Sequence, residues 1–131
     1  MNPERTLLDT NAILYFLGGR LIEPLPRGSH LTSVISEIEL LSYPSLSSKE
    51  EKQVRDFLSK IGIIGLDAEI KETAITFRRQ YRLKVPDAII AASAKVLHAT
   101  LLTNDSPLLK LPDLRTASLK IRESSESSQN S

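Results

Sequence analysis

The chain has 131 residues, with 17 Lys and Arg against 16 Asp and Glu, giving a formal charge of +1. That length fits one domain able to bury a core without covalent staples. With 40% hydrophobic and 25% charged residues, the composition is that of a globular chain rather than a disordered one. The absence of cysteine excludes disulfides, thiolate zinc sites, iron–sulfur clusters and a cysteine nucleophile. His30 and His98 are the two histidines, too few for a histidine-rich metal site. Near-balanced charge argues against a polybasic nucleic-acid binder but leaves room for a local basic groove. Any metal chemistry must therefore use oxygen ligands.

The first residues, Met1 to Arg5, lead into an apolar run that Asp9 breaks at once, unlike the apolar core of a signal peptide. Charges or prolines interrupt every other apolar stretch, so no membrane span is expected and a cytoplasmic location is the default.

In chain order, Thr6-Leu7-Leu8 reads as a short strand, and Asp9-Thr10-Asn11 opens a helix that Gly18-Gly19 stops. Pro24, Pro26 and Gly28 mark residues 20–30 as loop, and Leu31 to Ser33 as a second strand. Val34, Ile35, Ile38 and Leu41 then recur at helical spacing, with the Val34–Ile38–Leu41 stripe expected to face the core. Ser48-Lys49-Glu50-Glu51 has a capping-box pattern, followed by Val54, Phe57, Leu58 and Ile61 on one helical face. Ile63 to Leu66 is a compact strand candidate. Asp67 can cap a helix burying Ile70, Ala74, Phe77 and Tyr81. Pro86 starts a helix whose Ala88 to Ala94 segment is apolar nearly all round, which predicts a central, closely packed element. Leu101-Leu102 supplies another strand, ended by Thr103 to Pro107, and Ala117 to Ile121 a last one. The domain is expected to span 1–122, with Glu123 to Ser131 a disordered tail of Ser, Glu, Gln and Asn.

Short apolar strands alternating with helices predict the α/β class, a parallel sheet covered on both faces. Ligands of such sheets bind beyond the carboxyl ends of strands. Asp9 and Asp105 stand there, Asp87 lies in the first turn of the small-residue helix, and Glu37 and Glu39 follow the second strand. Carboxylates brought to one edge repel unless a cation neutralises them, and oxygen ligands favour Mg²⁺ or Mn²⁺. Each acid also has an ordinary use: Asp9 as N-cap, Asp105 in a turn, Asp87 at a helix dipole, and Ser36 with Glu39 as a capping box. The functional reading rests on their joint order.

Leu-Leu-Asp9-Thr10-Asn11, Thr-Ser-Val-Ile-Ser-Glu-Ile-Glu39-Leu, Val-Pro-Asp87-Ala-Ile-Ile-Ala-Ala-Ser-Ala and Leu-Leu-Thr103-Asn104-Asp105 resemble the ordered acidic motifs of PIN-domain nucleases. The small size is similar to that of VapC-type toxins of toxin–antitoxin pairs, and the resemblance spans about residues 6 to 121. It implies a three-layer α/β/α sandwich with a central parallel sheet and a Mg²⁺- or Mn²⁺-dependent ribonuclease. It also implies a cognate antitoxin and commonly a homodimer. Carried over by position, Asp9, Glu39, Asp87 and Asp105 form the acidic, metal-binding site. Asn11, Thr103 and Asn104 are the polar residues that orient carboxylates or water. Periodicity alone leaves Glu37 and Glu39 equivalent. The family pattern of a Ser followed six positions later by Glu-Leu matches Ser33 and Glu39-Leu40.

Arg78, Arg79, Arg82 and Lys84 precede Asp87 and read either as a solvated helix end or as a patch that positions RNA phosphates. Tyr15, Tyr43 and Tyr81 are too scattered for a base-stacking platform, and His98 is expected to bond a last-turn carbonyl. Leu14, Phe16 and Leu17, or part of the 49–61 helix, are candidates for a dimer or antitoxin surface. The alternative function is a non-catalytic PIN-like or receiver-like regulatory module. No suitably placed Lys follows a late strand as a receiver needs, and Asp9-Thr10-Asn11 lacks the second Asp of an Asp-x-Asp phosphatase.

Overall fold

A computed structural model describes residues 4–123, so most of the stretch expected as a tail, 124–131, lies outside the described residues. Five strands form one sheet in the order β3-β2-β1-β4-β5, every neighbouring pair parallel. They are β1 (Arg5–Leu8), β2 (Ser29–Ser33), β3 (Gly62–Ile64), β4 (Thr100–Leu102) and β5 (Thr116–Ala117). The helices are α1 (Thr10–Leu17), α2 (Val34–Leu41), α3 (Ser48–Leu58), α4 (Ala68–Tyr81), α5 (Val85–Val96) and the single turn α6 (Ser106–Leu109).

Side chains alternate across a strand, and here both sides are apolar. Leu7 and Leu101 enter a core with Ile70, Phe77 and the alanines of α5, whereas Leu8 and Leu102 enter a second core with Ile13, Leu40, Val54 and Leu58. The sheet is thus sandwiched between α4–α5 on one face and α1–α3 on the other, giving the expected α/β/α layers. Ala88, Ala91, Ala92 and Ala94 let α5 approach α4 and the sheet closely, and buried Ser93 donates its hydroxyl to Ile89 O at 2.8 Å. Gly28 has φ +103, and a Cβ there would lie 2.3 Å from Glu4 O. Only glycine lets the chain enter β2 beside the start of β1.

Several local expectations need correction. In α2 the buried positions are Ser36 and Leu40, while Ile38 is 56% exposed, so the Val34–Ile38–Leu41 stripe is not the core face. Ser33 caps α2 by accepting from Ile35 N at 3.0 Å, which leaves Ser36 inside the helix rather than at its cap. The capping box of α3 is Ser47 with Glu50, one residue earlier than the Ser48–Glu51 pattern, and both reciprocal bonds are present. Beyond β5 the chain turns back, and Ile121 pairs antiparallel with Leu21 instead of extending that strand. The ring of His98 bonds no carbonyl among the described residues; its backbone N–H donates to Lys95 O at 3.1 Å.

Candidate active site

Leu8 and Leu102 are the last residues of adjacent strands, and Asp9 N donates to Leu102 O at 3.3 Å. This register sets Asp9 beside Thr103. The Asp9 carboxylate is 6% exposed: Oδ1 accepts Ala12 N at 2.7 Å as the N-cap of α1, and Oδ2 accepts the Thr103 hydroxyl. Thr103 has one proton, so its oxygen is left to accept from Asp105 N at 3.0 Å. One buried hydroxyl therefore joins two acidic positions. The structural use of Asp9 as a cap and its place at the strand edge coexist.

Glu39 arrives from α2. Thr10 Oγ1 lies 2.6 Å from Glu39 Oε1 and 2.9 Å from Ser36 Oγ. Since Thr10 also has a single proton, it donates to the carboxylate, and buried Ser36 donates in turn to Thr10. This relay from Ser36 through Thr10 to Glu39 gives the buried serine of α2 a use other than the capping box its sequence suggested.

Asp87 occupies the first turn of α5, and Asp105 stands at the N-cap of α6 without making a side-chain cap bond. All four acids line one cleft of about 430 Å³, together with Thr10, Asn11, Ser42 and Tyr43. Glu37 is outside that lining. None of the four forms an ion pair among the described residues. Burial raises the Asp9 carboxyl above the ordinary aspartate range; the bonds from Thr103 and Ala12 oppose this, and the charges of Asp105 and Glu39 add to it. Burial also raises Asp87, reinforced by Asp105 and Glu39 and opposed by Lys84. The electrostatics and the cleft thus identify the same four groups. Among the described residues no three Asp, Glu or His side chains are already drawn into a cage.

Asn104 does not join the set. Its amide donates to Leu119 O at 3.0 Å and accepts Leu119 N at 2.7 Å, so it ties the loop after β4 to the C-terminal segment. Asn11 is an exposed wall of the cleft. Arg78, Arg79 and Arg82 are exposed and do not line it, whereas the Lys84 charge is felt at Asp87. Sequence reasoning missed Thr10 as the Glu39 partner, and Ser42 and Tyr43 as lining. Only the Asp-Thr-Asn run hinted at Thr10.

The sequence matches the PIN domain family over residues 6–114. The chain belongs to the PIN domain family. Its structure is similar to a chain of a toxin–antitoxin complex from Klebsiella pneumoniae, with a TM-score of 0.72 and 29% identity over 83% of this chain and 94% of that one. A VapBC2 structure from Rickettsia felis bound to a promoter DNA fragment aligns with TM-score 0.73 and 23% identity, covering 88% of this PIN domain chain and 99% of that one. VapBC-5 of Mycobacterium tuberculosis, at TM-score 0.67 and 18% identity, covers 88% and 99% respectively. The last two show the shared PIN fold alone. A comparison with curated proteins returns no match.

Proposed function

We propose that this PIN domain is the toxin of a toxin–antitoxin pair and acts as a Mg²⁺- or Mn²⁺-dependent endoribonuclease. The observation that carries the reading is the convergence of Asp9, Glu39, Asp87 and Asp105, from four different elements, on one cleft where none of them forms an ion pair among the described residues. The donor set is all oxygen, which fits a hard divalent cation, and the Asp9 and Asp87 carboxyls are raised first by burial and further by their acidic neighbours. The ion, when bound, would neutralise this charge, polarise a phosphodiester and acidify a water. Asp9, Glu39, Asp87 and Asp105 are its proposed holders.

The chain's own contributions follow from the hydrogen bonds. Thr103 fixes the Asp9 carboxylate, and the Ser36–Thr10 relay fixes Glu39. Asp87 and Asp105 are left to turn toward an ion or a substrate-bound water. Lys84, with Arg78, Arg79 and Arg82 behind it, supplies positive charge for RNA phosphates. The antitoxin partner is supported by the toxin–antitoxin complex from Klebsiella pneumoniae. Phe16 and Leu17, 40% and 36% exposed, are the surface offered for it or for a second copy. No described helix is long and apolar enough to cross a membrane, which is compatible with action in the cytoplasm.

The test is cleavage of structured RNA by partner-free protein, with Mg²⁺ or Mn²⁺ and with chelator. Metal-dependent cleavage that disappears in Asp9→Asn is expected. A purified, folded chain that leaves RNA intact in both metals would point to the non-catalytic regulatory alternative.

A further inference from the structure

A second cavity, of about 520 Å³, shares no lining residue with the acidic cleft; it runs along β1, β4 and β5 from their amino-terminal ends. Arg5, His98 and Arg115 are among its lining residues and are themselves exposed. The two arginines grip one turn: Arg5 Nη1 donates to Leu97 O at 2.8 Å and Arg115 Nη2 to His98 O at 2.6 Å. Each guanidinium is thereby held in place with most of its donors unspent. Neither forms an ion pair among the described residues, although Glu4 also lines the cavity.

Two further features are hard to explain by stability alone. The first is Thr6, which is 4% exposed and lines the cavity, yet its hydroxyl has no partner among the described residues. Thr32 and Thr103, also buried, spend theirs on Leu8 O and Asp9. A buried hydroxyl left without a bond is costly unless something in the cavity satisfies it. The second is His98, which has φ +54 just past α5, where Ala99 N donates to Ala94 O at 2.9 Å. That is the position of a helix-ending motif at which glycine is the least strained residue. A histidine there carries backbone strain at a lining position of the cavity, on the turn whose carbonyls both arginines hold.

We propose that this cavity binds a nucleotide through its phosphate monoester, which Arg5, Arg115 and His98 hold. Guanidinium forks match phosphate oxygens in pairs, and Thr6 and Thr100 also line the cavity. Leu102, Ala117 and Pro26 give an apolar floor for the nucleoside, and the volume far exceeds what phosphate alone fills. The site is independent of metal and of RNA cleavage, since it shares no lining residue with the acidic cleft.

Titration calorimetry on the full chain in chelator, with AMP, adenosine and inorganic phosphate, tests it. Saturable 1:1 binding of AMP is expected, on the order of tenfold or more tighter than adenosine, because the charged hydrogen bonds are absent from the nucleoside. Arg5→Ala and Arg115→Ala should each weaken AMP by a similar factor. Asp105→Asn, in the other cleft, should leave AMP affinity unchanged. His98→Gly should raise Tm yet weaken AMP, a combination that a purely structural histidine would not give. A 5′-phosphorylated trinucleotide binding tighter than AMP assigns the site to RNA ends, and the reverse order assigns it to free nucleotides. Non-saturable AMP binding, equal affinity for adenosine, or arginine and His98→Gly variants that bind as the parent does would overturn the proposal.

Discussion

On the α1–α2 side of the acidic cleft, Asp9 and Glu39 each accept a threonine hydroxyl, from Thr103 and Thr10. On the α5–α6 side, Asp87 and Asp105 accept no side-chain hydrogen bond among the described residues, and Asp105 even forgoes the capping bond its position allows. The held pair is fixed before any ligand arrives, whereas the free pair retains rotamer freedom. A cleft built this way can keep a fixed reference on one wall and adapt on the other as charge and geometry change through a reaction. Cation binding should therefore depend on both walls, but folding should depend on only one.

The largest effect is expected at Asp9. Asp9→Asn keeps an N-cap residue of nearly equal quality, so α1 should persist. Its single amide oxygen, however, cannot replace both carboxylate oxygens toward Ala12 N and the Thr103 hydroxyl while also facing an ion. RNA cleavage should fall by more than the ~100-fold ceiling typical of residues that merely orient a ligand. Activity within tenfold of the parent would remove Asp9 from the reaction.

The free wall should behave in the opposite sense toward stability. Asp87→Asn and Asp105→Asn relieve repulsion without breaking a described side-chain bond, so both should melt higher than the parent in chelator. In the parent, Mn²⁺ at 100 times its Kd should add about 2.7 kcal/mol of stability by mass action, visible as a rise in Tm. Both variants should lose most of that rise. The same groups set a pH dependence. Folding raises the Asp9 and Asp87 carboxyls, so between the unfolded value and the higher folded one the native state binds more protons than the unfolded chain. Stability contributed by these groups is then present at the acid end and declines as pH rises through their folded values. In chelator, the advantage of Asp87→Asn over the parent should widen from about pH 4 toward neutrality, around the ordinary aspartate range. A constant advantage would place its origin elsewhere.

A smaller effect separates positioning from ligation on the held wall. Thr10→Val removes the donor to Glu39 with little change in shape, and should weaken Mn²⁺ binding by roughly 10–100-fold. Thr10→Ser, which keeps the hydroxyl, should retain most of the affinity. Glu39→Gln should weaken Mn²⁺ as well, while Glu37→Gln, outside the cleft lining, should not. Equal losses from the two glutamates would undo the choice of Glu39.

The contrast between the walls also marks what the sequence could convey. Asp9 and Asp105 were legible because strand ends are legible: an apolar pair followed by an acid locates the carboxyl edge of a parallel sheet. The layers followed from apolar strands alternating with helices, and the packing of α5 from its run of alanines. The buried face of α2 was not legible. Hydrophobic periodicity assumes that cores are apolar, and here Ser33 and Ser36 are fully buried while Ile38 is turned outward. Thr10 and Ser36 reveal their purpose only when α1 and α2 are placed side by side. Helix α6 escaped for a different reason, since four residues opened by Ser-Pro carry no period. Asn104 reads as part of the site because Asp105 lines the cleft and Thr103 bonds Asp9, while its own amide turns to Leu119.

The smallest effect concerns the charge flanking the free wall. Lys84 precedes α5 and lowers the Asp87 carboxyl through its charge, so Lys84→Ala changes the cleft even without RNA. The two roles separate by salt. A phosphate contact releases counterions, and each one lost from a single strand should flatten the slope of log affinity against log salt by about 0.7. A purely local influence on Asp87 shifts affinity without changing that slope. Measured in an Asp87→Asn background, where that influence is gone, Lys84→Ala should still flatten the slope if Lys84 touches phosphate. Arg82→Ala, Arg78→Ala and Arg79→Ala, outside the cleft lining, should follow with equal or smaller changes. An unaltered slope in all four variants would reduce this run to a solvated helix end, and would leave the free wall to meet RNA through an ion alone.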